Sequence, residues 1–168
     1  MAFTLRLGYT QRYSFYYNIP YINKNQKAGL RFGFAHSANH QIPLQTVNDT
    51  VNFFTNTELF SKTETGGYVT YNYRPNLYKT YSAEAGYRKA TVLDSVTLLN
   101  PDYFTGARNT ISYLSLRFFF KHDHRDIAFY PLKGFYLDGE IAHTGFPGIG
   151  DDLNLTTLQA HYRKFNQL

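Results

Sequence analysis

The residues best suited to chemistry lie between positions 122 and 126, where two histidines alternate with acidic residues. His122, Asp123, His124 and Asp126 are of the types that bind metals or form an Asp–His catalytic pair. On an extended strand His122 and His124 share one side, whereas Asp123 points to the other, and the sequence places no third ligand. We favour a structural role, in which Asp123, Arg125 and Asp126 form charge-assisted hydrogen bonds that tie down a turn. No catalytic residue and no metal site are therefore expected.

A second candidate is the glycine-rich, acidic segment 146–154 with its neighbour Gly145. The spacing of Gly145, Gly148 and Gly150 is superficially that of a phosphate-binding loop, but no helical pattern and no Gly-Lys-Ser/Thr follow. We therefore predict no cofactor. Tyrosine-rich faces could stack on sugars or bases. Because aromatic residues are spread over every strand-like segment, contact with lipid explains them more simply.

The segment before the charged residues alternates like a β-strand. Four apolar residues fall on one face, and the opposite face is mixed: Leu114, Leu116, Phe118 and Phe120 against Ser115, Arg117 and Phe119. After the charges, Pro131 fixes φ and Gly134 permits positive φ, which predicts a chain reversal. The next strand places Asp138 and Glu140 on one side. A half-buried strand of a soluble protein would alternate in the same way.

The composition indicates an all-β protein. Tyr and Phe supply 18% of the 168 residues, Trp and Cys are absent, and the mean hydropathy is −0.42. No sustained helical periodicity and no run of 18 apolar residues occurs, so a transmembrane helix is excluded, whereas a transmembrane strand needs only about 9–11 residues. The net charge of +5 is spread along the chain, so nucleic acid is not an expected partner.

About eight strands are predicted, at residues 3–10, 13–19, 28–36, 66–74, 80–90, 109–120, 135–145 and 155–165. Compact turns at 20–27, 74–79 and 121–134 alternate with longer connections at 37–65, 91–108 and 146–154. The first long connection contains a strand-like extension at 51–57. Outer-membrane barrels combine short turns at one end with long loops at the other.

The polar faces of these strands carry charged residues. We predict that they line a water-filled lumen, with the lipid bilayer on the other side. The lumen-facing candidates are Arg31, Arg74, Glu84, Arg88, Arg117, Asp138 and Glu140, and Arg6 and Arg163 fall on the same side.

Two short segments resemble signatures of the bacterial surface antigen family, the BamA/TamA-type outer-membrane assembly barrels. One signature is D-x-R-D followed by P-x-x-G-(F/Y), and the other is the N-x-P-Y turn. The first matches Asp123, Arg125, Asp126, Pro131 and Gly134, and the second matches Asn18, Pro20 and Tyr21.

The resemblance implies an antiparallel up-and-down transmembrane β-barrel of sixteen strands, preceded by POTRA domains. Residues 1–168 would then be a partial barrel domain, from about the third to the tenth strand. No POTRA domain and no Arg-Gly-aromatic lid motif is found in this chain. The resemblance further implies a non-enzymatic parent protein in the bacterial outer membrane that inserts or translocates polypeptides. Its partners would be client polypeptides and periplasmic or lipoprotein components, and the open sheet edges could self-associate.

Two other hypotheses remain open. The chain could be a passive channel or an independent, self-closed eight-stranded barrel, since eight strands can close around their own side chains. It could also be a barrel enzyme, if His124 and a carboxylate converge near the rim.

Overall fold

The computed structural model describes residues 1–146, 148 and 153–166, which form ten strands and one short helix. In chain order the elements are β1 (Ala2–Arg6), β2 (Thr10–Ile19), β3 (Ala28–Asn39), β4 (Gln41–Val47), β5 (Thr50–Thr55), β6 (Lys62–Tyr73), β7 (Lys79–Val92), α1 (Asp94–Leu99), β8 (Thr110–Asp123), β9 (Gly134–Thr144) and β10 (Leu155–Phe165). No helix among the described residues is long and apolar enough to cross a membrane.

Eight strands form one antiparallel sheet in the order β1-β2-β3-β6-β7-β8-β9-β10, and β4 and β5 form a separate two-stranded sheet. Each strand of the large sheet lies beside its predecessor and successor, with the β4–β5 hairpin inserted between β3 and β6. Within the described residues β1 pairs only with β2 and β10 only with β9, so the sheet is open. The prediction of an all-β, antiparallel partial barrel with eight strands is confirmed, and a self-closed eight-stranded barrel is not observed.

The first predicted strand is wrong in length. β1 ends at Arg6, and Thr10 already belongs to β2. Between them Gly8 has φ +118°, a conformation that residues with a Cβ rarely adopt, so the chain turns there. The alternation of residues 3–10 therefore crosses a turn rather than following one strand.

The two long connections contain structure that the sequence pattern did not reveal. The sequence pattern predicts residues 37–65 as a loop with one extended piece, yet they hold the complete β4–β5 hairpin and the ends of β3 and β6. Asn48 and Asp49 both have positive φ, at 49° and 59°, which is the geometry of a two-residue type I′ hairpin turn. The second connection contains α1, a six-residue helix that is too short for a recognisable helical period.

A small apolar core joins these two connections at one end of the sheet. Ile42 from β4 and Val96 from α1 are buried together with Val92, the last residue of β7. Asn100 donates a hydrogen bond of 2.8 Å from its Nδ2 to the carbonyl of Leu44. Because Val92 continues the face of β7 that carries Arg88, the hairpin and helix pack on that side of the sheet.

Register divides the large sheet into two chemically different faces. We call one the apolar face; it includes Phe32, Phe34, Val69, Tyr71, Ala83, Ala85, Leu116, Phe118 and Ile141. The other is the polar face; it includes Arg31, Thr70, Asn72, Ser82, Glu84, Arg117 and Glu140. The pairing of Phe32 with Val69, Val69 with Ala85, and Ala85 with Leu116 shows how one row crosses four strands.

Candidate functional site

The polar face is organised around one arginine between two glutamates. Arg117 lies opposite Glu84 on β7 and contacts Glu140 on β9, with Nη1 3.7 Å from Glu84 Oε1 and Nε 3.3 Å from Glu140 Oε1. Thr70 on β6 donates a hydrogen bond of 2.9 Å to the other oxygen of Glu84. The Arg117 side chain is 53% exposed, so each ion pair contributes only about 0–1 kcal/mol. The network links four strands while it remains in contact with solvent.

An open cavity of about 210 Å³ surrounds this network on the polar face. Its lining residues are Arg31, Thr70, Asn72, Ser82, Glu84, Arg117, Phe119 and Glu140. Ser82 donates a hydrogen bond to the side-chain oxygen of Asn72. Four of the seven lumen-facing candidates therefore meet here.

The other three candidates lie elsewhere. Asp138, two residues before Glu140, contacts Nδ1 of His161 through Oδ2 at 3.1 Å. Arg88 lines a second furrow that adjoins this cavity and shares Glu84 and Arg117 with it. Arg74 follows the last residue of β6, and its Nη2 donates to the carbonyl of Leu77 at 3.2 Å, so this guanidinium closes a turn. The structure thus does not bring Arg74 to the cavity.

The turn between β8 and β9 is held by a bidentate ion pair. Arg125 donates from Nε and Nη2 to the two carboxylate oxygens of Asp123, both at 2.8 Å, and from Nη1 to the carbonyl of Ala128 at 2.9 Å. Donating these hydrogen bonds to the Asp123 carboxylate raises the pKa of Arg125. The guanidinium also lies 4.7 Å from the centre of the Tyr136 ring, which places a cation over an aromatic face.

Asp126 organises the rest of the same turn. Its Oδ1 accepts backbone N–H bonds from Ile127, Leu132 and Lys133, at 2.8, 3.1 and 3.2 Å. Burial acts to raise the pKa of Asp126, but the backbone donors outweigh it and hold the pKa below its ordinary value. One carboxylate thus satisfies N–H groups on both sides of the half-buried Pro131.

Gly134 begins β9 in a position that excludes a side chain. Its φ is +113°, and a Cβ there would lie 2.9 Å from the carbonyl carbon of His124 and 3.0 Å from the Cα of Arg125. This close approach accompanies a hydrogen bond of 2.8 Å from the His124 N–H to the Phe135 carbonyl. The glycine therefore lets β8 and β9 come together at the start of their pairing.

The turn between β2 and β3 contains the second motif. Asn18 pairs with Arg31 in the β2–β3 register, and Pro20 presents its carbonyl oxygen 2.7 Å from where a Cβ of Gly29 would be. Tyr21 is exposed. Sequence reasoning missed Asn23, whose Oδ1 accepts the backbone N–H groups of residues 27 and 28 at 2.9 and 3.2 Å. An asparagine within a turn is the signal that could have identified it.

His122 and His124, which lie at the end of β8 and just after it, belong to an aromatic cluster. The His124 ring stacks on Tyr78, with centroids 4.0 Å apart and planes 9° apart, and lies 5.3 Å from the Phe135 ring. His122 is 5.0 Å from Phe135 in an edge-to-face arrangement. Across the described residues, no three His, Asp or Glu side chains are arranged to hold a metal ion. Gly150, from the supposed phosphate loop, lies outside the described residues.

Comparison with known proteins gives one result. A search of curated proteins finds no match. The family model described as the Omp85 superfamily domain matches residues 1–168, which confirms the resemblance to the surface antigen barrels. The chain therefore belongs to the Omp85 superfamily, a family of non-enzymatic proteins that insert or translocate polypeptides at the bacterial outer membrane.

Proposed function

We propose that this chain is a wall segment of an outer-membrane β-barrel whose parent protein inserts or translocates polypeptides. The observation that carries the proposal is that one layer of strands is apolar on one face and charged on the other. On the apolar face Val69, Leu116 and Phe118 remain 44–48% exposed. In a sandwich these side chains would be covered by a second sheet. Lipid is the environment that would remove them from water.

The strand lengths and hydrogen bonding support a membrane position. The strands from β6 to β9 contain 12, 14, 14 and 11 residues, and a tilted transmembrane strand needs about 9–11. Backbone groups in a bilayer must pair between strands, as they do along the registers from β2 to β9. The open edges β1 and β10 require partner strands.

The polar face supports a wet lumen. Burying the ions of the Glu84–Arg117–Glu140 group in a dry interior would cost several kcal/mol each. Their exposure indicates that water remains on this side. A lumen of this kind gives polypeptides and solutes an aqueous surface within the membrane.

In the parent barrel this segment supplies wall and lumen, at about the third to tenth of sixteen strands. The seam, where an edge strand pairs with a client by β-augmentation, lies outside it. Client polypeptides and periplasmic or lipoprotein components act through the parent protein. In isolation, copies of the segment would pair through the edges of β1 and β10.

Cysteine scanning tests which face of the sheet meets lipid and which meets water, and the chain contains no cysteine that would interfere. Ser115 and Leu116 are adjacent and point to opposite faces. With the protein in phospholipid vesicles, a charged, membrane-impermeant maleimide should modify Ser115→Cys. It should modify Leu116→Cys only after urea denaturation. Equal labelling of both variants in the folded protein would refute the membrane orientation.

Depletion in cells tests the activity of the parent protein. Folding of other outer-membrane barrels should fall when the protein is removed, measured by their resistance to detergent before heating. Normal folding of these barrels, together with reduced permeability to small solutes, would instead identify a passive channel.

A further inference from the structure

The polar face carries a second open cavity, which shares Glu84 and Arg117 with the first and extends along β6 and β7 toward the end of the sheet where the β4–β5 hairpin packs. We call this cavity of about 670 Å³ the arginine furrow, after Arg12 and Arg88, which line it. Small residues supply much of the remaining lining: Ala35, Ser37, Gly66, Gly67, Gly86 and Ser115. Such a floor exposes backbone and lets another chain approach closely.

Tyr68 shows how closely a group can approach this floor. Its ring lies across Gly33, with the ring carbon Cζ 2.7 Å from where a Cβ of Gly33 would be. The ring is therefore folded against the backbone of β3. Tyr68 lines the furrow as an aromatic surface rather than standing across it.

The furrow also carries unmatched positive charge. Glu64 is paired with Lys62 at 2.7 Å, and Glu84 is occupied by Thr70 and Arg117. By contrast, the guanidinium groups of Arg12 and Arg88 are exposed and have no ion-pair or hydrogen-bond partner among the residues that the structure describes. The described carboxylates of the furrow are thus already engaged, and no described residue occupies the N–H donors of these two guanidinium groups, which can bind external carboxylates.

We propose that the arginine furrow docks an extended, acidic polypeptide segment. This inference rests on the proposed function, since it requires the polar face to be a wet lumen that meets polypeptides. Arg12 and Arg88 bind the carboxylates of the segment, while its backbone lies against the glycine-rich floor and Tyr68. An anionic lipid fits less well, because its acyl chains need a continuous apolar wall, whereas most of the furrow's lining is small, polar or charged and the apolar row from Phe32 to Leu116 lies on the opposite face of the sheet.

A matched pair of peptides tests the inference on the natural full-length protein in vesicles. One peptide alternates Glu with Ser, and the other has Gln in place of every Glu. The acidic peptide should bind more tightly, and added salt should weaken it, because exposed charges are screened. Replacing both arginines with glutamine should raise its Kd by roughly two- to fivefold per arginine, or about four- to twenty-five-fold together.

Arg163→Gln is the control, because Arg163 lies on the polar face near the opposite end of the sheet; it should change the Kd by less than about twofold. Equal affinity for the two peptides, or an unchanged Kd in the double variant, overturns the proposal. Retention of anionic lipid that is lost in the double variant, without peptide binding, also overturns it.

Labelling of Ser115→Cys distinguishes a failure of the furrow proposal from a failure of the proposed function. If Ser115→Cys is labelled and the acidic peptide does not bind, the furrow proposal fails and the proposed function stands. If Ser115→Cys resists labelling in the folded protein, the lumen and the furrow fail together. Protection of Leu116→Cys from labelling in the Arg12→Gln/Arg88→Gln background shows whether the double variant remains folded.

Discussion

The substitution Gly134→Ala should be among the most damaging single-methyl changes in the chain. The new Cβ would lie 2.9 Å from the His124 carbonyl carbon, about 0.6 Å inside the ~3.5 Å optimum for carbon atoms, and closer still to the carbonyl oxygen. Relief requires the backbone of β8 or β9 to move. That movement threatens two hydrogen bonds, from His124 N–H to Phe135 and from Asp126 N–H to Lys133, of 2.8 and 3.1 Å.

The expected cost has two parts. Holding a residue with a Cβ at φ +113° costs about 1–3 kcal/mol. Weakening two backbone hydrogen bonds adds about 0.5–1.5 kcal/mol each. The free energy of unfolding should therefore fall by about 2–6 kcal/mol, a large share of the roughly 5–15 kcal/mol of a typical domain.

Gly8→Ala provides a matched control. Gly8 has φ +118°, but nothing lies within 4 Å of where its Cβ would be, so the substitution imposes conformational strain without a collision. Urea unfolding of both variants in vesicles, followed by protease resistance, measures the difference. If Gly134→Ala costs no more than Gly8→Ala, close packing of the β8–β9 turn is not what requires the glycine.

Two further predictions concern the same turn. Arg125→Ala should destabilise the folded state, and Arg125→Lys should recover only part of the loss, because lysine cannot donate two parallel hydrogen bonds to Asp123; a variant that folds normally but is inactive would show that Arg125 serves chemistry instead. The pKa of Asp126 is depressed in the folded state, so its stabilisation is complete above the unfolded pKa of about 3.9 and is lost as the pH falls through the lower folded pKa. Urea titrations from pH 6 to pH 2 should therefore show a weaker pH dependence in Asp126→Asn, and identical curves would contradict this assignment.

Much of the sheet could be predicted because a two-residue period needs only local sequence. The strand around Ser82 to Arg88 alternates throughout and lies within β7. The predictions fail where the local sequence pattern does not reflect the tertiary structure. Gly8 interrupts an otherwise perfect alternation, and the type I′ turn at Asn48 and Asp49 depends on two residues within a polar background.

The sequence predicts which face of the sheet the site residues occupy, but not which of them lie opposite one another. Alternation places Glu84 and Arg117 on polar faces, yet these residues are 33 positions apart. Only the pairing of β7 with β8 sets them opposite each other. Arg74 shows a different failure, because the alternation of β6 predicts that it lies on the polar face of the strand. Pro75 follows it, and the strand has already ended at Tyr73.

The energetics of the two faces also determine which side of the sheet can be concave. Outward-facing apolar side chains such as Leu116 and Phe118 are stabilised if lipid covers them, at about 25 cal/mol for each Å² removed from water. Turning Arg117 and its two glutamates toward the hydrocarbon would instead desolvate three charges at a cost of several kcal/mol each. Ion pairing could not compensate, because the group keeps a net charge of −1. Closure with the polar face inward is thus the arrangement that satisfies both faces, and the same argument keeps Arg12 and Arg88 in contact with water.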